Sequence, residues 1–430
     1  MINKTVILLA PSHHTEHELS KYVASYLVTG VPSDIYFFQP LQAIFSKVIA
    51  YDYTTRITKI GFKAVNEEVI DLVEIENAEY VLWLSARYEF SGLTFDTLRK
   101  KTGAIIVGWF FDDETHFDDY SKWWIPYLDY FVTNDIQAVP KYKELGARAI
   151  QAYCTGIPVD HDWSGIMGNY GVSFVGTRSA DREQFINEFR KRNIPIALFG
   201  REWAKFVSFR EMIDIFGASK INLNFSKAGS TPQIKARIFE VCLAGGFLLT
   251  EYVSGIERYF EIDKEIVCFH NKEEMIEKTI YYLNHDEERQ TIAQAGWKRA
   301  TNEYTCFHIL SMVFDEIEKD IASRGGGSSP HPENPQIPMR IRRRVSAYYA
   351  NWVKAFSLEN YKGLWQDAFM LSIYYNPLNG QSWLYYILGF LPYHMRLSSY
   401  KLVRSALIGL HRLQKNLVTF KAGKTKYINP

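Results

Sequence analysis

The stretch Ser219–Glu251, SKINLNFSKAGSTPQIKARIFEVCLAGGFLLTE, decides the architecture of this chain. Ile221–Phe225 is a short run of β-branched and aromatic residues and reads as a strand. A loop of small polar residues follows. A helical pattern then covers 232–244, opened by Pro232, whose missing N–H has no intrahelical partner in a first turn. Phe247–Thr250 reads as the next strand. Strand, helix and strand in this order make a βαβ unit, whose strands run parallel. On the helix Ile234, Ile238 and Val241 share one face, while Gln233, Arg237, Glu240 and Ala244, spaced by four, three and four, share another. The apolar face is expected against the sheet and the polar one towards a cleft. The unpaired N–H groups at the helix start suit a phosphate.

Outward from this unit the same rhythm repeats. Val172–Val175, Ile196–Phe199 and Ile266–Phe269 are further strands, separated by helical patterns at 180–192, 208–217 and 272–284. Before them a second series reads Thr5–Ala10, Asp34–Phe38, Tyr80–Ser85, Ala104–Phe111, Tyr130–Thr133 and Ala149–Tyr153, with amphipathic segments such as Glu16–Leu27, Glu67–Ile75 and Val139–Leu145 between. Segment 41–66 fits neither pattern. The fold class is therefore α/β: two Rossmann-like domains facing across a cleft, at 1–160 and 161–323, each a parallel sheet covered on both sides. Residues 286–322 read as long helices that pack back over the two halves. Arg324–Pro338, RGGGSSPHPENPQIP, is a linker almost without apolar residues, and 339–430 is a basic, aromatic helical appendage.

Composition narrows the class. The 430 residues are 47% apolar, 23% charged and 15% aromatic, which excludes disorder and supplies stacking faces for bases or sugars. The net charge of +1 hides a division: residues 325–430 carry 14 Lys and Arg against 3 Asp and Glu, so the remainder is acidic. Cys154, Cys242, Cys268 and Cys306 lie far apart without metal spacing, which reads as reduced thiols in a cytoplasmic protein. The first apolar run has no cleavage site behind it, and the tail's Trp383–Pro392 is too short to span a bilayer. Neither half has a Gly-x-Gly-x-x-Gly turn or a P-loop, so hydride transfer and ATP hydrolysis of those classes lack their phosphate cradle.

The residues SKINLNF (Ser219–Phe225), KARIFE (Lys235–Glu240), LAGGFLLTE (Leu243–Glu251), IERYF (Ile256–Phe260), YLNH (Tyr282–His285) and Ala295-Gly296 together resemble the group-1 glycosyltransferases of GT-B fold, in the branch related to the spore maturation protein CgeB. The resemblance covers about 171–310, and touches the first half only through WFFDD (Trp109–Asp113). It implies a nucleotide diphosphate sugar, UDP- or GDP-linked, as donor substrate with no further cofactor. Carried over residue by residue, Glu240 would accept from the ribose hydroxyls, Arg237 with Lys235 and Arg178 would neutralise the diphosphate, and Gly245-Gly246 would let backbone approach the donor. The bland reading of Arg237 and Glu240 is an i,i+3 surface pair. Many retaining members of the superfamily carry a Glu eight residues before the ribose-binding one. Here that position is Pro232, which has no carboxylate to make that donor-sugar contact.

In the first half, Asp112 and Asp113 follow a strand, where a carboxylate serves as general base for the acceptor hydroxyl or as a helix cap. His13, with His14, is the other cleft candidate or else a solvated loop residue. The adjacent aspartates do not match a metal-binding Asp-x-Asp, and no metal is expected. The basic residues Arg340, Arg342, Arg343 and Arg344, with Lys401, Arg404, Arg412, Lys415, Lys421, Lys424 and Lys426, suit an anionic membrane surface or the chain's own acidic part. No nucleic-acid motif accompanies them. The function expected is sugar transfer to a glycan, lipid-linked or protein acceptor, in the cytoplasm or at the inner face of the membrane. The alternative is a GT-B-like protein that binds a glycan or organises an assembly without turnover.

Overall fold

The computed structural model describes residues 1–11, 33–85, 87–153, 155–159, 170–200, 202–203, 207–226, 233–325, 337–358, 361 and 363–391. The helical pattern at Glu16–Leu27, the histidines His13 and His14, Cys154, Pro232 and everything beyond 391 lie outside them.

Two parallel sheets form. The first has six strands in the order β2-β1-β3-β4-β5-β6, with β1 at Ile2–Ala10, β2 at Phe45–Asp52, β3 at Tyr80–Leu84, β4 at Ile105–Phe110, β5 at Tyr130–Thr133 and β6 at Arg148–Gln151. Successive side chains alternate between faces. Ile7, Leu9, Val81 and Trp83 enter one core, and Val6, Leu8, Tyr80 and Leu82 enter the other. The strand β2 occupies the segment that the pattern left unassigned. It is an edge strand whose middle is half-exposed, so it lacks the continuous apolar run of its neighbours. Asp34–Phe38 is not a strand but a π-helical turn leading into the helix Gln39–Ile44, where Pro40 fits the first turn.

The second sheet has five strands in the order β11-β10-β9-β7-β8: β7 Tyr170–Val175, β8 Ala197–Phe199, β9 Ser219–Asn224, β10 Leu248–Glu251 and β11 Val267–Phe269. Its order reverses between β7 and β9, and the C-terminal ends of strands beside such a reversal are where open α/β sheets take ligands. Helix Cys306–Ser323 returns to the first half, burying Leu310, Val313, Phe314 and Ile317 against Leu8 and Phe45. Phe314 meets Phe45 edge to face at 4.7 Å.

The helices Met339–Leu358, Leu364–Tyr375 and Gly380–Gly389 complete the first half rather than standing apart. Ile341, Val345, Tyr349, Trp352, Val353 and Phe356 join the same core as Leu9, Phe62 and Trp83. The junction is also polar and specific. Helix Tyr53–Ile75 is kinked at Gly61 (φ 86°), and Asp367 accepts a 3.0 Å hydrogen bond from the Lys63 N–H just past the kink. A Cβ on Gly61 would lie 2.8 Å from that carboxylate, so the close approach requires glycine. The basic cluster is partly consumed inside the molecule. Arg344 pairs with Asp119 at 2.7 Å, and Arg342 donates to the carbonyls of Tyr374 and Tyr375 at a helix end.

Candidate functional site

Helix Ala236–Leu243 descends from the C-terminal edge of β9, with Ile238 and Val241 fully buried on its sheet-facing side. Its polar side faces the first half. Glu240 is 8% exposed, and both its oxygens are engaged: Oε1 accepts from the Tyr36 hydroxyl at 2.7 Å and Oε2 from Arg237 Nη1 at 2.7 Å. Tyr36 belongs to the π-helical turn of the other half, so this bond crosses the cleft. The Arg237 guanidinium lies over the Phe216 ring at 5.1 Å and touches the Met212 sulfur. Arg237 and Glu240 are therefore a partly enclosed cross-cleft constellation and not an ordinary surface pair.

At the end of β7 the two neighbouring arginines point in opposite directions. Arg178 turns outward, half-exposed, with Nε 2.7 Å from Glu183 and its guanidinium 5.5 Å from the Trp203 ring centre. Arg182, in the first turn of helix Ala180–Lys191, turns inward. It donates from Nη1 to the Thr177 carbonyl at 2.7 Å and lies over Phe174. Its Nε is buried without a partner, and it makes no ion pair among the described residues. Burial, reinforced by the like charge of Arg237, draws its pKa below the usual arginine range, and Glu251 opposes the shift. A partly desolvated guanidinium with spare donors is suited to an anion. The pattern names Arg178; the inward position belongs to Arg182, whose only sequence signal is its place four residues later, in the first turn of the helix.

Gly245 and Gly246 do not face the cleft. The helix runs antiparallel to the strands, so its end lies at the opposite edge of the sheet. Gly245 takes a left-handed conformation there (φ 75°), and a Cβ on Gly246 would come within 2.8 Å of the Phe216 carbonyl. Their lack of side chain serves helix-to-sheet packing.

In the first half, Asp112 and Asp113 separate. Asp112 is largely exposed, forms no side-chain helix cap, and stands 3.8 Å from Lys235 Nζ across the cleft. Asp113 is 1% exposed and points inward, where it accepts from the Tyr142 hydroxyl at 2.9 Å and burial raises its pKa. A residue so enclosed cannot meet an acceptor, which corrects its assignment as a base. Glu114, which the sequence pattern did not single out, takes that side of the cleft with Asp112. Its side chain is 7% exposed and accepts from Lys235 Nζ at 3.2 Å. Burial raises its pKa and Lys235 lowers it. Lys235 thus bridges the halves through carboxylates of the first, instead of pointing at the arginines. Beside this bridge a small open pocket lies between the sheets, lined by Glu114, Asn134 and Asp135 from one half and Gln233, Ser254 and Arg258 from the other.

Residues 178–315 match the family described as glycosyl transferase-like. The spore protein CgeB of Bacillus subtilis (strain 168) is 24% identical over 238 residues, spanning 48% of this chain and 70% of that protein. The crystal structure of Anabaena Alr3699/HepE in complex with UDP and glucose superposes with a TM-score of 0.50 at 8% identity, over 74% of this chain and all of that one. The second half resembles CgeB-like, group-1 glycosyltransferases, and the two facing sheets have the GT-B fold. The family match covers Arg182, Lys235, Arg237, Glu240 and Glu251 but neither Tyr36 nor Glu114. Those two come from the first half and join the site only through folding. Among the described residues no helix is long and apolar enough to cross a membrane, and no three of His, Cys, Asp and Glu converge as a metal site requires.

Proposed function

We propose that the enzyme transfers a sugar from a nucleotide diphosphate sugar, UDP- or GDP-linked, to a hydroxyl of a glycan, lipid-linked or protein acceptor. The observation that carries this reading is the enclosed Glu240 carboxylate, held by Arg237 and reached from across the cleft by Tyr36. A ribose diol presents two hydroxyl donors, and a carboxylate with two oriented oxygens is their natural acceptor once Tyr36 gives way. Arg237 and Arg182 then face the diphosphate and stabilise the charge that develops as the bond from the anomeric carbon to the diphosphate oxygen breaks. The acceptor oxygen forms the new bond to that carbon. Its proton passes to Asp112, the exposed carboxylate of the first half. No divalent ion is needed in this scheme, because the guanidinium groups carry the leaving charge, so activity is expected to persist in EDTA.

The test is a panel of UDP-, GDP-, ADP- and CMP-sugars, read by thermal shift and by donor hydrolysis without acceptor, since a ligand that binds only the native state raises apparent stability. Stabilisation and slow hydrolysis with one donor class support the proposal. A panel without stabilisation or hydrolysis overturns it. The finer cellular reading is a cytoplasmic enzyme held on an anionic lipid surface by its C-terminal lysines and arginines, which predicts salt-sensitive binding to anionic liposomes.

A further inference from the structure

The last two helices of the described chain are polar inside and apolar outside. Ser372 on helix Leu364–Tyr375 and Ser382 on helix Gly380–Gly389 are fully buried with Ser346, and the Ser372 hydroxyl bonds both of the others. Facing outward, Met370, Tyr374, Leu378, Trp383, Ile387 and Phe390 are between 44% and 91% exposed. Met370 and Tyr374 stand four residues apart on the first helix, Trp383 and Ile387 four apart on the second, and Leu378 lies in the turn between them. The helices join beside these rows, where the Trp383 ring packs edge to face on Phe369 at 4.8 Å. Residues 368–391 contain no charged side chain. Single exposed apolar residues are ordinary, but six on one uncharged helical hairpin mark a surface that meets something other than water.

We propose that this hairpin is a membrane-contacting face, which lies on an anionic bilayer with Trp383, Ile387 and Phe390 among the lipid chains. Charge selects a bilayer over a second copy of the chain. The sequence beyond Leu391 carries eight Lys and Arg and no Asp or Glu, and Arg342 donates to the Tyr374 and Tyr375 carbonyls at the end of the first helix. Two copies meeting through this face would bring these like charges together, whereas anionic headgroups neutralise them. The polar groups of the hairpin are also provided for. Trp383 Nε1 donates to the Pro377 carbonyl at 2.8 Å, and the Asn379 side chain accepts from the Gln381 and Ser382 N–H groups at 3.2 and 3.3 Å, so the face leaves water without stranding them. Exposed Trp and Tyr beside aliphatic side chains suit the boundary between headgroups and lipid chains. Because Trp365, Phe369, Tyr385 and Leu388 belong to the core of the first half, the contact holds the half that carries Asp112 beside the bilayer, where a lipid-linked acceptor would lie. The inference rests on the membrane reading proposed above and deepens it: charge alone gives a contact that salt dissolves, and an uncharged inserted face gives one that resists salt.

The experiment uses the full chain and vesicles of phosphatidylglycerol and phosphatidylcholine in equal parts, read by flotation. The parent is expected to float with them at low salt, and part of the binding is expected to persist at about 1 M NaCl, where attraction between exposed charges is screened. Ile387→Gln combined with Phe390→Gln leaves the charge unchanged and is expected to weaken the salt-resistant part roughly ten-fold or more. The same exchange at Ile75 and Ile280, exposed on other helices, is expected to leave it unaltered. Lipid with brominated acyl chains is expected to quench part of the parental tryptophan emission, and Trp383→Phe to lose that quenched part. Binding that salt abolishes and that the glutamine pair does not weaken overturns the apolar contact while the charge-based membrane reading stands; a parent that floats with no vesicle at low salt overturns both. A lowered melting temperature in the glutamine pair shows the face to be covered by the chain itself, and a dimer that the pair turns into a monomer shows it to be covered by a second copy. Either of these results overturns the proposal.

Discussion

Glu89 offers a measurable link between pH and the docking of the C-terminal helices. It is 1% exposed, lies between the end of β3 and helix Gly92–Thr102, and is enclosed where the first half meets helix Met339–Leu358. One oxygen accepts from the Arg87 N–H at 2.9 Å and the other from the Tyr348 hydroxyl at 3.4 Å. Burial pushes its pKa from 4.5 up to about 7, with the Arg87 charge and these hydrogen bonds opposing the rise. The other titratable groups facing it, Tyr53, Tyr120, Tyr348 and Tyr349, are all raised well above their ordinary value and stay neutral throughout this range. The sign follows directly. Below pH 4.5 folded and unfolded chains both hold the proton. Between 4.5 and 7 the unfolded chain releases it while the folded chain retains it, so stability falls as pH rises. Above 7 the penalty is constant at about 3 kcal/mol, from about 1.4 kcal/mol per pH unit of separation. Glu89→Gln keeps the shape and removes the titration. Its unfolding free energy relative to the parent, measured by urea denaturation from pH 5 to pH 8, is expected to improve by about 2–3 kcal/mol over that interval. A difference between the two proteins that is the same at pH 5 and pH 8 would refute the burial argument.

Tyr36→Phe removes the hydroxyl that occupies Glu240 and is expected to tighten nucleotide binding, by up to roughly ten-fold, whereas Glu240→Ala weakens it by a similar factor or more; calorimetric titration with UDP and GDP checks both. Unchanged affinity in the two variants would remove the ribose assignment. Arg182→Ala should weaken nucleotide binding roughly ten-fold or more, while Arg178→Ala, whose guanidinium is paired with Glu183 at the surface, should change it less than about two-fold. The reverse ranking would return the diphosphate role to Arg178. A chain ending at residue 324 should aggregate, because it uncovers a core that normally receives Ile341, Val345, Trp352, Val353 and Phe356, each worth about 1.5–3 kcal/mol when buried. A monodisperse, cooperatively unfolding fragment by light scattering and calorimetry would show that the tail is dispensable to the core.

The part of the structure that local pattern controls is legible along the chain. Parallel strands buried on both faces are nearly continuous apolar runs, so Tyr80–Leu84, Tyr130–Thr133 and Val267–Phe269 could be read to within a residue or two. The edge strand Phe45–Asp52 was hidden because an exposed edge need not be apolar, and Asp34–Phe38 misled because a short apolar run is equally compatible with a buried helical turn. The spacing of Arg237 and Glu240 put both on one helix face, which was enough to direct them at the cleft. What they meet there was a matter for the tertiary structure: Tyr36 lies 204 residues from Glu240, and Glu114 lies 121 residues from Lys235. The same holds for Arg178 and Arg182, which differ in direction and not in chemistry, and for the tail, whose charge and polar linker suggested independence while its aromatic faces had a core to complete. Pattern and spacing report which face a side chain takes on its own element. Which partner it finds depends on how distant elements pack, because burial and charge are properties of the assembled neighbourhood rather than of the residue.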